Sequence, residues 1–234
     1  TNNDSAYLTA RDLARSGAKV TVADLRQEIG SGALAVSQYS NVEVLRGVGV
    51  LAACGRARVS GAILVPVDAY GKASGKTWRI ACDLIAVSGG WSPCIHLWSQ
   101  RNRKAKFLEA EECFVPSGDG VPTMWYAGSI AAETDDERIV ISGFNTGASA
   151  AKEANFHGYP GIAPLPPKDG EGFTWIRGLH RVHTVSAADG KSAGKAFVDF
   201  QHDVTLDDID LAHREGYVSV EHLKRYTTAG MAND

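Results

Sequence analysis

The stretch 197–231, FVDFQHDVTLDDIDLAHREGYVSVEHLKRYTTAGM, constrains the chain most. It spells two short helices joined at a glycine. Thr205 stands before an acidic first turn (Asp207, Asp208), as a helix N-cap does, because a hydroxyl oxygen can accept one of the unpaired first-turn N–H groups. Leu206, Ile209, Asp210 and Ala212 then set a helical period that ends at Gly216, a residue that tolerates the left-handed backbone of a helix stop. Ser219 caps a second helix carrying Val220, Leu223 and Tyr226, which Gly230 stops. By itself this is a small αα-hairpin that names no chemistry.

The residue order within it says more. The string V-T-x-x-D-I-x-x-A-x-x-E-G-x-x-S-V-E-x-L-K-R-x-T-x-x-G (from Val204 to Gly230) resembles the helical module that carries a two-iron two-sulfur cluster in several flavoprotein families. There a C-x-C pair of thiolates precedes the V-T; the matching positions here are Asp199 and Gln201. Such clusters need thiolates, so the resemblance implies a copy without iron. With the opening K-A-F-V-D-F-Q-x-D-V-T (Lys195 to Thr205) and the close K-R-Y-T-T-x-G-M (Lys224 to Met231), the module is similar to that of one family, the α subunit of heterotetrameric sarcosine oxidase.

The chain's 234 residues suit one large or two small domains. A net charge of −3 with 22% charged residues and no basic stripe gives nucleic acid no electrostatic footprint. No apolar run reaches the ~20 residues of a membrane helix, no leader is recognisable, and no membrane partner is expected. Cys54, Cys82, Cys94 and Cys113 lie far apart with no C-x-x-C, which reads as reduced thiols in a cytoplasmic protein. The seven histidines are scattered and suggest no metal site. The chain opens without Met on a helix cap, and we expect it to be an internal piece of a longer subunit.

At the start, residues 1–16 form a helix with Ala6, Ala10, Leu13 and Ala14 on one face, Gly17 ends it, and KVTVAD (19–24) is a strand. Helix, glycine and strand ending in an acid make half of a dinucleotide-binding unit. A G-x-G-x-x-A fingerprint would fall on Thr1, Asn3 and Ala6, and only Ala6 keeps the small residue. The unit is therefore read as Rossmann-like in layout without serving as a nucleotide site, and Asp24 as a ribose ligand is the weaker alternative. Strands follow at 42–45, 49–54, 61–67 and 77–80, with a turn at 70–75. Residues 82–88 (CDLIAVS) read as a buried strand running into Gly89-Gly90-Trp91-Ser92-Pro93. In two-dinucleotide-domain flavoproteins the equivalent turn brings backbone close to the cofactor; a plain strand and turn with no ligand is the equal alternative.

Residues 121–127 (VPTMWYA) read as a further strand ending at Gly128-Ser129, where the same superfamily faces pyrophosphate with backbone N–H groups. Thr134 and Asp136 occupy positions that the resemblance assigns to nucleotide contacts. The helix is expected to recover its register at Ser142 and to pack its small residues on a sheet. Residues 159–172 hold four of the eight prolines and form a linker; residues 173–185 follow as a packing strand, and 186–194 as a turn.

The expected fold class is thus α/β, a partial Rossmann-like two-dinucleotide-binding-domain flavoprotein type followed by a small α-helical module. Its parts are 1–95, an inserted dinucleotide-binding-like domain lacking its first strand; 96–157, a return segment of the first nucleotide domain; 158–194, linker and strand; and 195–234, the module. The candidate cofactor-binding residues are Gly89, Gly90, Gly128, Ser129, Thr134 and Asp136, with no catalytic and no metal-binding residue named. The resemblance implies oxidative demethylation of sarcosine to glycine, with peroxide and a one-carbon unit passed to tetrahydrofolate. It implies NAD in the α subunit, FMN at the α/β boundary, FAD in the β subunit, and β, γ and δ subunits as partners. The alternatives are a subunit of a related amine, opine or proline dehydrogenase, and a non-catalytic nucleotide-domain scaffold.

Overall fold

A computed structural model describes residues 1–29, 31–118, 124–133, 136–158, 161–162, 184–189 and 194–231. The chain divides into two compact units, Thr1–Val48 with Ala86–Arg181 and Gly49–Ile85 with Val182–Asp234.

The first unit opens with helix α1 (Ser5–Arg15), strand β1 (Val20–Asp24), helix α2 (Ser31–Ser37) and strand β2 (Val42–Arg46). β1 and β2 are parallel, Val20 opposite Val42 and Asp24 opposite Arg46, with α2 as the crossover. Both helices cover one face of this pair: Tyr7 and Ala10 of α1, Val22 of β1, and Ala33 and Val36 of α2 form one buried cluster. The apolar spacing of α1 produces this packing, with Tyr7, Ala10 and Ala14 buried. The buried face is turned slightly from the expected one, since Tyr7 is the large residue on it and Ala6 is only half-buried. Asn41 completes the unit by donating its side-chain N–H groups to the Ala14 and Ala18 carbonyls (2.9 and 2.7 Å), two acceptors freed where α1 ends.

The second unit begins as a meander of β3 (Val48–Gly55), β4 (Val59–Pro66) and β5 (Trp78–Ile80), hydrogen-bonded in that order. The β3–β4 turn requires glycine at position 55: φ is +141° and a Cβ would lie 2.0 Å from the Arg58 carbonyl oxygen. β4 holds the core of the meander, with Ala62, Leu64 and Val65 buried.

Between Ile80 and His96 the structure departs from the sequence reading. Residues 82–88 form no strand; Leu84 and Val87 are 65% and 85% exposed. Among the described residues no strand pairs with this apolar run, and a run of this length does not by itself distinguish a strand from other structure. Helix α3 (His96–Gln100) buries Trp98, whose indole N–H donates to the Lys104 carbonyl at 2.8 Å. The hairpin β6 (Ala105–Leu108) and β7 (Cys113–Pro116) follows, carrying a Phe107–Phe114 ring pair at 5.0 Å. Burial pushes the Cys113 thiol pKa up, and the neighbouring Glu111 carboxylate adds to the rise.

Of the expected strand 121–127, residues 121–123 lie outside the described residues and Trp125–Ala127 carry no strand. Helix α4 (Asp136–Glu153) starts six residues earlier than Ser142, so Asp136 and Glu137 open the helix rather than interrupt it. None of its described side chains is buried, and open space surrounds Gly143 and Gly147; the expected packing of small residues on a sheet is not seen. Most of the linker and of the packing strand, including Trp175, lies outside the described residues. The helical module comprises β8 (Phe197–Asp199), β9 (Val204–Thr205), α5 (Leu206–Arg214) and α6 (Val220–Thr227); Thr205 caps α5 as expected, whereas Ser219 precedes α6 without a side-chain cap bond and α6 ends at Thr228, in the left-handed region, before Gly230 is reached. No described helix is long and apolar enough to cross a membrane.

Candidate functional site

The candidate residues fall at two places in the first unit, and no described hydrogen bond joins them. Gly89 and Gly90 lie against the start of α1. The chain preceding α1 is polar because its side chains have geometric tasks. Buried Asn3 accepts from the Ser5 N–H (3.0 Å) and hydroxyl (2.6 Å) through Oδ1, engaging the first N–H of the helix from one residue ahead of its N-cap, Asp4. Its Nδ2 donates to the Ser88 hydroxyl at 3.2 Å, and Asn2 Nδ2 donates to the Gly89 carbonyl at 3.2 Å. The Ser5 and Ser88 hydroxyls sit 2.6 Å apart. These bonds staple the 88–89 turn to α1 and leave a groove of about 430 Å³ bordered by Ser5, Thr9, Asp12, Gly89, Gly90 and Trp91.

This groove offers hydroxyls, one carboxylate and an exposed indole, and no cationic side chain lines it among the described residues. The Asn3 carboxamide holds the helix end that a pyrophosphate would take. Asp24 is closed as well. Fully buried, it accepts from the Tyr7 hydroxyl at 2.8 Å and from Arg26 Nε and Nη2 at 3.0 and 2.7 Å. Arg26 also donates to Asp4 at 2.7 Å. Burial alone would lower the Arg26 pKa, but the two carboxylates outweigh it and hold the guanidinium charged. Burial and the Asp24 bond raise the Tyr7 phenol pKa, keeping its proton on. With its lone pairs so engaged, Asp24 cannot serve a ribose, and the start of α1 does not fit a dinucleotide. Asn2, Tyr7 and Arg26 escaped the sequence reading, which took Asn3 only as a departure from the glycine fingerprint; the signals were the polar run N-N-D before the helix and an arginine two residues beyond the strand's acid.

The second place is the 3₁₀ turn Gly128–Ala131 before α4. Buried Gly128 has φ +77°, and a Cβ there would meet Ile139 at 3.4 Å. Its N–H donates to the Glu133 carboxylate at 3.1 Å. An anion reaching this amide must first displace that carboxylate. Ser129 is exposed, Asp136 opens α4, and Thr134 lies outside the described residues.

In the helical module, Asp199 is a junction. Its carboxylate accepts the backbone N–H groups of Gln201 (2.8 Å), His202 (3.2 Å) and Gly230 (2.8 Å) and lies 3.3 Å from the His202 ring. Led by the Gly230 bond, these donors hold its pKa below the ordinary carboxylate value. Among the described residues no group of three or more His, Cys, Asp or Glu side chains could hold a metal ion.

Comparison with known proteins bears on the whole chain. The family model described as the sarcosine oxidase A3 domain matches residues 193–234. The sarcosine oxidase α subunit of Corynebacterium sp. (strain U-96) is 37% identical over 237 aligned residues, covering all of this chain and 24% of the relative. The α subunits of Corynebacterium sp. (strain P-1) and Rhizobium meliloti (strain 1021) are 34% and 32% identical, again along the whole chain and over 24% and 22% of their lengths. The chain therefore spans about a quarter of the length of the relatives it matches, and throughout that span it is similar to sarcosine oxidase α subunits.

Proposed function

We propose that the chain is part of the α subunit of a heterotetrameric sarcosine oxidase and contributes nucleotide-binding and subunit-contact surface, with no catalytic residue of its own. The observation that carries this is similarity to sarcosine oxidase α subunits along the entire chain, beyond the helical module alone. On this reading NAD is held in the parent subunit, FMN lies at the α/β boundary, and FAD in the β subunit performs the substrate oxidation, with γ and δ completing the assembly. Transfer of the one-carbon unit to tetrahydrofolate lies outside this segment. The parts 1–95, 96–157, 158–194 and 195–234 keep the roles assigned to them, and a cytoplasmic location suits their free thiols.

The start of α1 being closed, the NAD reading rests on Gly89 and Gly90 as a close backbone approach and on the Gly128–Asp136 turn, where Gly128, Ser129, Thr134 and Asp136 lie. Glu133 decides whether that turn accepts an anion. In the complete subunit, Glu133→Gln removes the charge that competes for the Gly128 N–H and should tighten NAD binding several-fold, read by calorimetry. Mass spectrometry of the small molecule released on denaturation identifies the native ligand. A folded subunit that releases no nucleotide and binds none in either form would favour the scaffold alternative.

A further inference from the structure

We propose that residues 101–106 and the phenylalanine pair beside them form a docking face for an acidic segment of a partner subunit. The inference rests on the reading of the chain as part of an α subunit, and it names the surface that meets the partner. Arg101, Arg103, Lys104 and Lys106 put four cations into six residues of a chain whose net charge is −3. All four are exposed, and among the described residues none of them enters an ion pair. Like charges gathered this closely repel one another, and an anionic partner relieves that repulsion.

The backbone beneath these cations is held in place. The Lys104 carbonyl accepts the indole N–H of buried Trp98 at 2.8 Å, and the Ser117 hydroxyl and N–H at 2.6 and 3.2 Å. Strand β6 leaves directly from this anchor. Its Phe107 lies opposite Phe114 of β7, so the two rings share one face of the hairpin, with centroids 5.0 Å apart. They are 41% and 55% exposed, whereas Cys113 and Val115, on the other face, are buried. The hairpin is thus packed on one side and presents a fixed apolar pair on the other, next to the cations.

A cation at the C-terminal end of α3 and lysines on a strand edge have local uses, but neither use leaves two phenylalanines in the open. Two features choose the occupant. The rings need an apolar complement, which a polypeptide has and a phosphate backbone lacks. The cations need carboxylates. The hairpin turn carries Glu109, Glu111 and Glu112, but at about 3.4 Å per residue the strand holds them more than about 10 Å from Arg101 and Arg103. That exceeds the screening length of about 8 Å at physiological salt. The same glutamates would repel a phosphate backbone laid along the hairpin. The occupant is therefore an acidic stretch with at least one apolar side chain; the cations steer its approach and the rings hold it.

Association kinetics of the complete α subunit with its partner subunits, followed by light scattering at several salt concentrations, test this. Arg103→Glu with Lys104→Glu should slow association by about tenfold or more at low salt. The difference should vanish near about 0.5 M salt, where screening shortens to a few ångströms. Arg56→Glu with Arg58→Glu makes the same change of charge on the exposed β3–β4 turn and should leave the rate nearly unchanged. Phe114→Ser should raise the dissociation rate several-fold without altering the salt dependence. If the two double variants associate alike, the docking face is overturned while the subunit reading stands. A wild-type subunit that joins no partner overturns both. Binding of a single-stranded oligonucleotide that is lost in the Arg103→Glu, Lys104→Glu variant would make nucleic acid the occupant and overturn the acidic segment.

Discussion

The N-terminal α/β unit and the C-terminal helical module use the same kind of device, a carboxylate gathering donors from several parts of the chain, in opposite surroundings. In the first, Asp24 is fully buried and matched by a buried guanidinium and a phenol. In the second, Asp199 belongs to a module that leaves large apolar side chains outside: Phe200 is 80% and Val220 77% exposed. A buried charge must be paired almost completely, and losing one partner is expensive. A carboxylate near solvent can lose a donor to water at little expense. The first device therefore sets whether its unit folds; the second sets the conformation of a loop.

Removing Arg26 should show the larger effect. Arg26→Met leaves Asp24 and Asp4 without their cation and should destabilise the first unit by about 3–5 kcal/mol, the range for breaking a buried ion pair, measured by urea denaturation. The double variant Arg26→Met with Asp24→Leu should recover part of that loss, because no buried charge then stands alone at position 24. A double variant no better than the single would mean that the network acts by shape rather than charge.

A smaller change is expected in the module. Thr205 forms a capping box with Asp208: the Asp208 N–H donates to the Thr205 hydroxyl oxygen at 3.4 Å, and the Thr205 N–H donates to the Asp208 carboxylate at 2.8 Å. Thr205→Ala should cost about 1 kcal/mol of local stability, seen as faster exchange of the first-turn amides of α5 with those of α1 unchanged. Coupled loss in α1 would show that the two regions unfold together.

The mildest test concerns pH. Because donors lower the Asp199 pKa, its contribution is fully present above the unfolded value of about 3.9 and is lost only as pH falls through the lower folded value. The Gly230 amide should stay protected from neutral pH down to that range and open below it. Asp199→Asn should expose the same amide at neutral pH and remove the acid transition. An unchanged profile would place the clasp elsewhere.

What could be read in advance follows the range of the interactions. The module's caps and stops are local, so Thr205, Gly216 and Ser219 marked helix ends from sequence, and Gly216 takes the positive φ a stop requires; α6 instead ends at Thr228, φ +63°, two residues before the expected Gly230. The strands β1 and β2 were legible as apolar runs, but helix α2 between them was not, and with it went their parallel pairing. Residues 82–88 failed because an apolar run does not say whether a strand pairs with it, and among the described residues none does. Tyr7–Asp24–Arg26 was hidden for another reason: it depends on side chains 17 residues apart meeting over a helix face, and no periodicity encodes that. At the candidate site, the glycines at 89, 90 and 128 were visible, but the carboxylate of Glu133 across the Gly128 amide was a matter of geometry alone.

The unladdered stretch 81–87 bears on how such a chain tolerates change. A residue inserted in β4 would carry Leu64 and its neighbours from one side of the sheet to the other, because side-chain direction there has a period of two. Residues 81–87 have no ladder and so no register to lose. Length can drift there freely up to Ser88, where the asparagine bonds to α1 begin again to fix the backbone.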